Sequence, residues 1–118
     1  MVEIIKESRE FTEVEKYLMT VAPSIKSMKD VPDGTVIEVD GTLLFKDTKD
    51  STGETVEILS LITPDLQVYS CQSKTFKKSL EDITNIMNGK EFAIVKISGK
   101  TNAGRDYINC TLDVNSVR

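Results

Sequence analysis

One amphipathic helix set among short strands does most to limit what this chain can fold into. Phe76, Leu80, Ile83 and Met87 recur at spacings of four, three and four, which gathers them into one apolar stripe. Ser73 is a good N-cap before that stripe, and Asn88-Gly89 is a good stop after it. Everything around the stripe reads as strand and turn. Pro32-Asp33-Gly34 is strong turn chemistry. After it, Thr35 to Phe45 predicts a long first strand, with Ile37, Val39, Leu43 and Phe45 on one side and Glu38, Asp40 and Thr42 on the other. Gly41 within it suggests a bulge or sharp bend, which lets one strand serve both halves of a small barrel.

A polar loop over 46–54 leads to a second strand, Thr55 to Ile62, and Pro64-Asp65 marks a turn before a third, Leu66 to Cys71. Beyond the helix come a fourth strand, Phe92 to Ile97, a loop from Gly99 to Arg105, and a fifth strand, Asp106 to Leu112. In the fifth, Ile108, Cys110 and Leu112 alternate with Tyr107, Asn109 and Thr111, so one face is apolar and the other polar. Three strands, one helix and two strands is the order of the OB-fold, a mainly β, five-stranded Greek-key barrel. The helix between strands three and four is expected to close one end of that barrel.

A chain of 118 residues supports one core and not two, so a single domain over 1–118 is expected, with the barrel at 35–113 and an N-terminal extension at 1–33. That extension reads two ways. Thr12 and Glu15 form a capping-box pattern, and Phe11, Val14, Tyr17, Leu18 and Val21 are helically spaced. Tyr17, Met19 and Val21 also alternate as a strand would. No apolar run nears the ~20 residues of a membrane helix, and the first residues hold no signal-peptide core. A cytoplasmic location is expected. The tail from Val114 to Arg118 is short and carries no acidic or glycine-rich extension.

The two cysteines, Cys71 and Cys110, read as free, buried thiols of a reducing compartment. With no histidine, an ordinary zinc site and every histidine-activated nucleophile are excluded. No phosphate loop and no convergent carboxylate pair is present. Neither catalysis nor a metal or cofactor is expected. The formal net charge is −4, which alone argues against nucleic-acid binding. The acids, however, concentrate in the first half, while Lys74, Lys77, Lys78, Lys90, Lys96, Lys100 and Arg105 lend the second half a basic side.

Several stretches resemble a family of small phage single-stranded DNA-binding proteins, especially the lactococcal-phage type. They are VPDGTVIEVDG, Gly53-Glu54, VYSCQSKTFKKSLEDI at 68–83 and ISGKTNAGRDYINCTL at 97–112. The resemblance spans roughly residues 30 to 113. It is most specific at the junction Ser70-Cys71-Gln72-Ser73-Lys74-Thr75-Phe76 and in the hairpin from Gly99 to Tyr107. It implies an OB-fold, sequence-tolerant single-strand binding, self-association and a role in phage replication or recombination. Such a fold grips a strand by cations on phosphates and by rings stacked on bases. The candidate contacts are therefore Lys46 and Lys49 in the first loop, Tyr69 on the third strand and Lys74 at the helix start. Lys96, Lys100, Arg105 and Tyr107 are expected to form one wall on the hairpin. Each has a plain alternative, as a solvated charge or a ring packed beside its neighbours. Because one barrel covers only about 4–16 nucleotides, a homo-oligomer is expected, most simply a dimer. The other reading of the same barrel is a protein–protein module or adaptor in a replication complex.

Overall fold

The computed structural model describes residues 2–116; the last two residues of the tail, 117 and 118, lie outside it. The chain is mainly β, with two sheets and two α-helices. Its strands are β1 (Val2–Glu7), β2 (Lys26–Ser27), β3 (Val36–Val39), β4 (Gly41–Thr48), β5 (Thr55–Ile62), β6 (Val68–Cys71), β7 (Phe92–Lys100) and β8 (Asp106–Leu112). The helices are α1 (Glu13–Thr20) and α2 (Lys74–Met87). One sheet runs β1-β4-β5-β6-β2, the other β3-β7-β8. This arrangement is compatible with a barrel-like fold. Among the described residues β6 and β8 are not paired; the free edge of β6 instead carries β2, in parallel.

The helix forms where its stripe predicts. Ser73 Oγ accepts the Phe76 N–H at 3.2 Å, and Asn88 ends the helix in the left-handed region at φ 48°. Phe76, Leu80 and Met87 pack with Ile37, Val39, Leu59, Leu61, Phe92, Ile94 and Cys110 in the main core, and Ile83 lies at its margin.

The long first strand is two strands. The chain bends at Asp40-Gly41, so β3 joins one sheet and β4 the other. Glycine is required there by space. A β-carbon on Gly41 would sit 2.6 Å from Phe11 Cζ. The bend also splits the expected apolar face. Ile37 and Val39 stay in the main core, but Leu43 and Phe45 turn to a second one with Phe11, Met19, Ile62 and Val68. Leu44, not they, packs from β4 against the main core. The N-terminal segment thus covers the outer face of the five-stranded sheet, and β5 is buried on both sides from Leu59 to Ile62.

Helix prevails over strand at 13–20 because the capping box closes reciprocally. Glu15 N–H donates to Thr12 Oγ1 at 3.1 Å, and Thr12 N–H donates to Glu15 Oε1 at 2.9 Å. Arg9 ties this helix to the bend, donating to Glu15 at 2.8 Å and to the Asp40 carboxylate at 2.9 Å. Its guanidinium also lies 4.3 Å over the Phe11 ring. The Arg9 hydrogen bond, helped by the Thr12 backbone, pulls the Glu15 carboxyl down from its ordinary 4.5 to about 2. A carboxyl lowered on folding stabilises the fold fully above its unfolded value, and that share is lost as pH falls through the folded one. Thermal melting is therefore expected to sag as pH drops from about 4.5 toward 2. Glu15→Gln should start from a lower midpoint at neutral pH and show a shallower fall; an unchanged acid limb would refute the assignment.

Candidate nucleic-acid interface

A groove of about 1000 Å³ opens where β6 and β8 fail to meet. Its floor is Ile58 of β5 with Ser70, Cys71, Gln72 and Ser73, the run that carries β6 into α2. One wall is Ser27 and Lys29, at the short 3-10 turn after β2. The other is the outer end of the β7–β8 hairpin: Lys96, Ser98, Gly99 and Lys100 facing Asp106, Tyr107 and Ile108. Three lysines and one carboxylate line this groove; Lys96 is paired with Asp33 and Lys100 with Asp106, which leaves Lys29 as the lysine there without an ion pair among the described residues.

Antiparallel register decides how the hairpin presents its side chains, because directly paired residues share a face. Lys96 pairs with Cys110 and Lys100 with Asp106, whereas Tyr107 pairs with Gly99. The expected single wall of Lys96, Lys100, Arg105 and Tyr107 is thus corrected. Lys96 and Lys100 fall on the face of Ile108 and Cys110, and Tyr107 falls on the opposite one. Lys96 is only 4% exposed, and its ammonium donates to Asp33 at 3.1 Å. Asp33 also accepts from the Ser98 hydroxyl; that bond first, and the Lys96 ammonium second, hold its carboxyl below the ordinary carboxylate value. The pair pins the Pro32-Asp33-Gly34 turn to β7 and makes Lys96 a fixed part of the wall. Lys100 stays exposed, 3.7 Å from Asp106, where an ion pair in open water is weak and readily exchanged.

The other expected contacts lie elsewhere. Tyr69 pairs with Leu61, so its ring turns to the main core, and Lys26 sits 5.6 Å over it while donating to Gln67. Of its two readings, a stacking ring or one packed beside its neighbours, the ring's packing on the main core fits the second. Lys46 is exposed on β4 between Glu3 and Glu57 of the neighbouring strands. Lys49 opens the turn before β5, and Arg105 is exposed in the hairpin loop. Lys74 lines a separate 570 Å³ hollow beside α2. There the other lysines are paired, Lys6 with Glu81, Lys77 with Glu57 and Lys78 with Asp82. Of the eight expected residues Lys96 and Lys100 line the groove from one face of the hairpin, and Tyr107 lines it from the other. The groove adds Lys29 and Gln72, which residue type alone did not single out. Gln72 lay inside the motif that carried the resemblance; Lys29 had only its place between buried Met28 and Val31 to mark it.

Both cysteines are free. Burial pushes the Cys71 thiol up to about 11 and the Cys110 thiol up to about 12. Their thiolate fraction at neutral pH is negligible, so neither is a ready nucleophile. Alkylation by iodoacetamide at pH 7 is expected to be far slower than for a free cysteine until the chain is unfolded. Among the described residues no cluster of three metal-ligating side chains exists, and no helix is long and apolar enough to cross a membrane.

The chain is 24% identical over 94 residues to the single-stranded DNA-binding protein of Bacillus phage phi29, covering 75% of this chain and 76% of that one. It is likewise 24% identical over 94 residues to the single-stranded DNA-binding protein of Bacillus phage PZA. No solved structure matches it. A family model described as phage single-stranded DNA-binding protein matches residues 9–114. That span takes in β3 to β8, both walls of the groove and the helix that caps the core, and the chain belongs to the phage single-stranded DNA-binding protein family.

Proposed function

We propose that this chain binds single-stranded DNA in the groove between β6 and β8, without reading its sequence. In this reading the whole chain acts as one domain, an OB-type barrel left open along one side, with α1 packed on its outer face and Met28 and Val31 in its main core. Lys29 and Lys100 neutralise phosphates, Lys96 is held by Asp33 as a fixed part of the wall, and Tyr107 stacks on a base. Arg105 and Lys74 directly precede groove-lining Asp106 and directly follow groove-lining Ser73, so they extend the contact at either end. Lys46, Lys49 and Tyr69 take no part in it. The role is that of a non-enzymatic strand-binding protein in phage DNA replication or recombination, within the host cytoplasm.

The observation that carries this reading is a convergence. The two stretches most specific to the family resemblance, Ser70–Phe76 and Gly99–Tyr107, are distant in sequence. They supply the floor and one wall of the same groove. A duplex hides the flat faces of its bases, so it should bind weakly. The test is fluorescence anisotropy of labelled oligo-dT across a salt series, with single-stranded RNA and duplex DNA as competitors. Affinity that falls as salt rises, with duplex a poor competitor, is expected. No binding at low salt would sink the proposal. The reading also includes self-association, expected as a dimer by light scattering at micromolar concentration; a monomer there would remove that part alone.

A further inference from the structure

We propose that Gly99 is a positioning residue for Tyr107, the seat that sets this ring as a stacking platform at the groove; this rests on the DNA-binding reading above. Gly99 and Tyr107 are directly paired across the hairpin. A β-carbon on Gly99 would lie 2.6 Å from Tyr107 Oη, 2.8 Å from Cζ and 3.1 Å from Cε1. No side chain fits there while the ring stays where it is. The backbone does not call for glycine either, since the positive-φ glycines are Gly34, Gly53, Gly89 and Gly104. What the position needs is the empty space, and the ring fills it by lying across β7. A glycine in a strand that is covered by a cross-strand ring is a known way to fix both.

The seat matters because of what the ring is free to do. Tyr107 remains 37% exposed and lines the groove. Its hydroxyl has no hydrogen-bond partner among the described residues, so the ring is held by shape and not by its polar end. The other two tyrosines are not equivalent. Tyr69 is covered by Lys26, and Tyr17 stands on α1, outside the groove. A ring held against a strand has little rotamer freedom left to lose on stacking, which is the advantage of a preorganised contact.

The experiment uses the full chain with Tyr17→Phe and Tyr69→Phe, which leaves Tyr107 as its one tyrosine in a protein without tryptophan. Oligo-dT should quench its emission as it binds. Adding Gly99→Ala is expected to weaken binding about 5- to 140-fold, the range for losing one stacked base, and to abolish most of the quenching. Tyr107→Ala should weaken binding as much, the two together no further, and Tyr107→Phe should bind as the wild type does. A Gly99→Ala protein that melts earlier but binds and quenches unchanged overturns the proposal. Should Gly99→Ala alone not fold, Gly99→Ala with Tyr107→Leu removes the collision and is expected to restore folding without affinity; full affinity in that variant also overturns it. A parent protein that does not bind oligo-dT at all defeats the DNA-binding reading itself, and this proposal with it.

Discussion

Phe45→Ala is expected to lower the free energy of unfolding by about 3–5 kcal/mol, the usual range for emptying a buried aromatic site. A domain of this size has only about 5–15 kcal/mol in total, so the variant should stand near its unfolding limit. Phe45 is 1% exposed, and it fills the second core beneath α1 with Phe11, Met19, Leu43, Ile62 and Val68. The cavity has little means of collapsing. Its floor is β4 and β5, locked by an eight-residue antiparallel register from Gly41↔Ile62 to Thr48↔Thr55. Its roof is α1, tied down by Arg9 and by the Ser60 hydroxyl, which donates to the Met19 carbonyl at 2.6 Å. Urea unfolding gives the magnitude, and amide exchange gives the place. Protection should fall first in residues 11–21 and later in α2. Equal early loss in α2 would mean that the two cores are not separate.

Removing both exposed groove lysines, Lys29→Ala with Lys100→Ala, is expected to flatten the salt dependence of oligo-dT binding by about 1.4 in the slope of log K against log salt. Each phosphate contact on a single strand contributes roughly 0.7. The loss should be the same for any base composition, because these contacts read charge and not base edges. Neither lysine is needed for the fold. Lys29 has no ion pair among the described residues, and Lys100 meets only exposed Asp106 at 3.7 Å. Lys46→Ala with Lys49→Ala serves as the control that removes equal charge away from the groove, and its slope should hardly move. Equal slopes for the two double variants would show that net charge, not the groove, governs binding.

The parts of the fold that could be read from the sequence are those set by local chemistry. Ser73, the stripe from Phe76 to Met87 and Asn88 locate α2 by capping and periodicity. Alternation locates β5 and β8 to the residue, at Thr55–Ile62 and Asp106–Leu112. Register was not legible. Alternation along β8 says which of its residues turn inward, but not which residues of β7 lie opposite them. That is how Lys96 came to be expected in solvent while it lies beside Cys110. Tyr69 leaves the same choice open in the sequence, and pairing with Leu61 turns it to the core. Leu43 and Phe45 keep the alternation of Ile37 and Val39, yet the bend at Asp40-Gly41 carries them to another core. No pattern within one strand records that the sheet is covered on both faces.

The gap between β6 and β8, which do not pair with each other, bears on how a strand could be loaded. A single strand within an internal gap or a closed circle offers no loose terminus to thread. A ring-shaped binder would have to open to take such a molecule. A site flanked by two unjoined edges is a trench with no roof, so a polynucleotide can be laid in from the side at any point along its length and lifted out the same way. Occupancy then depends on how much bare strand is present, not on where it ends.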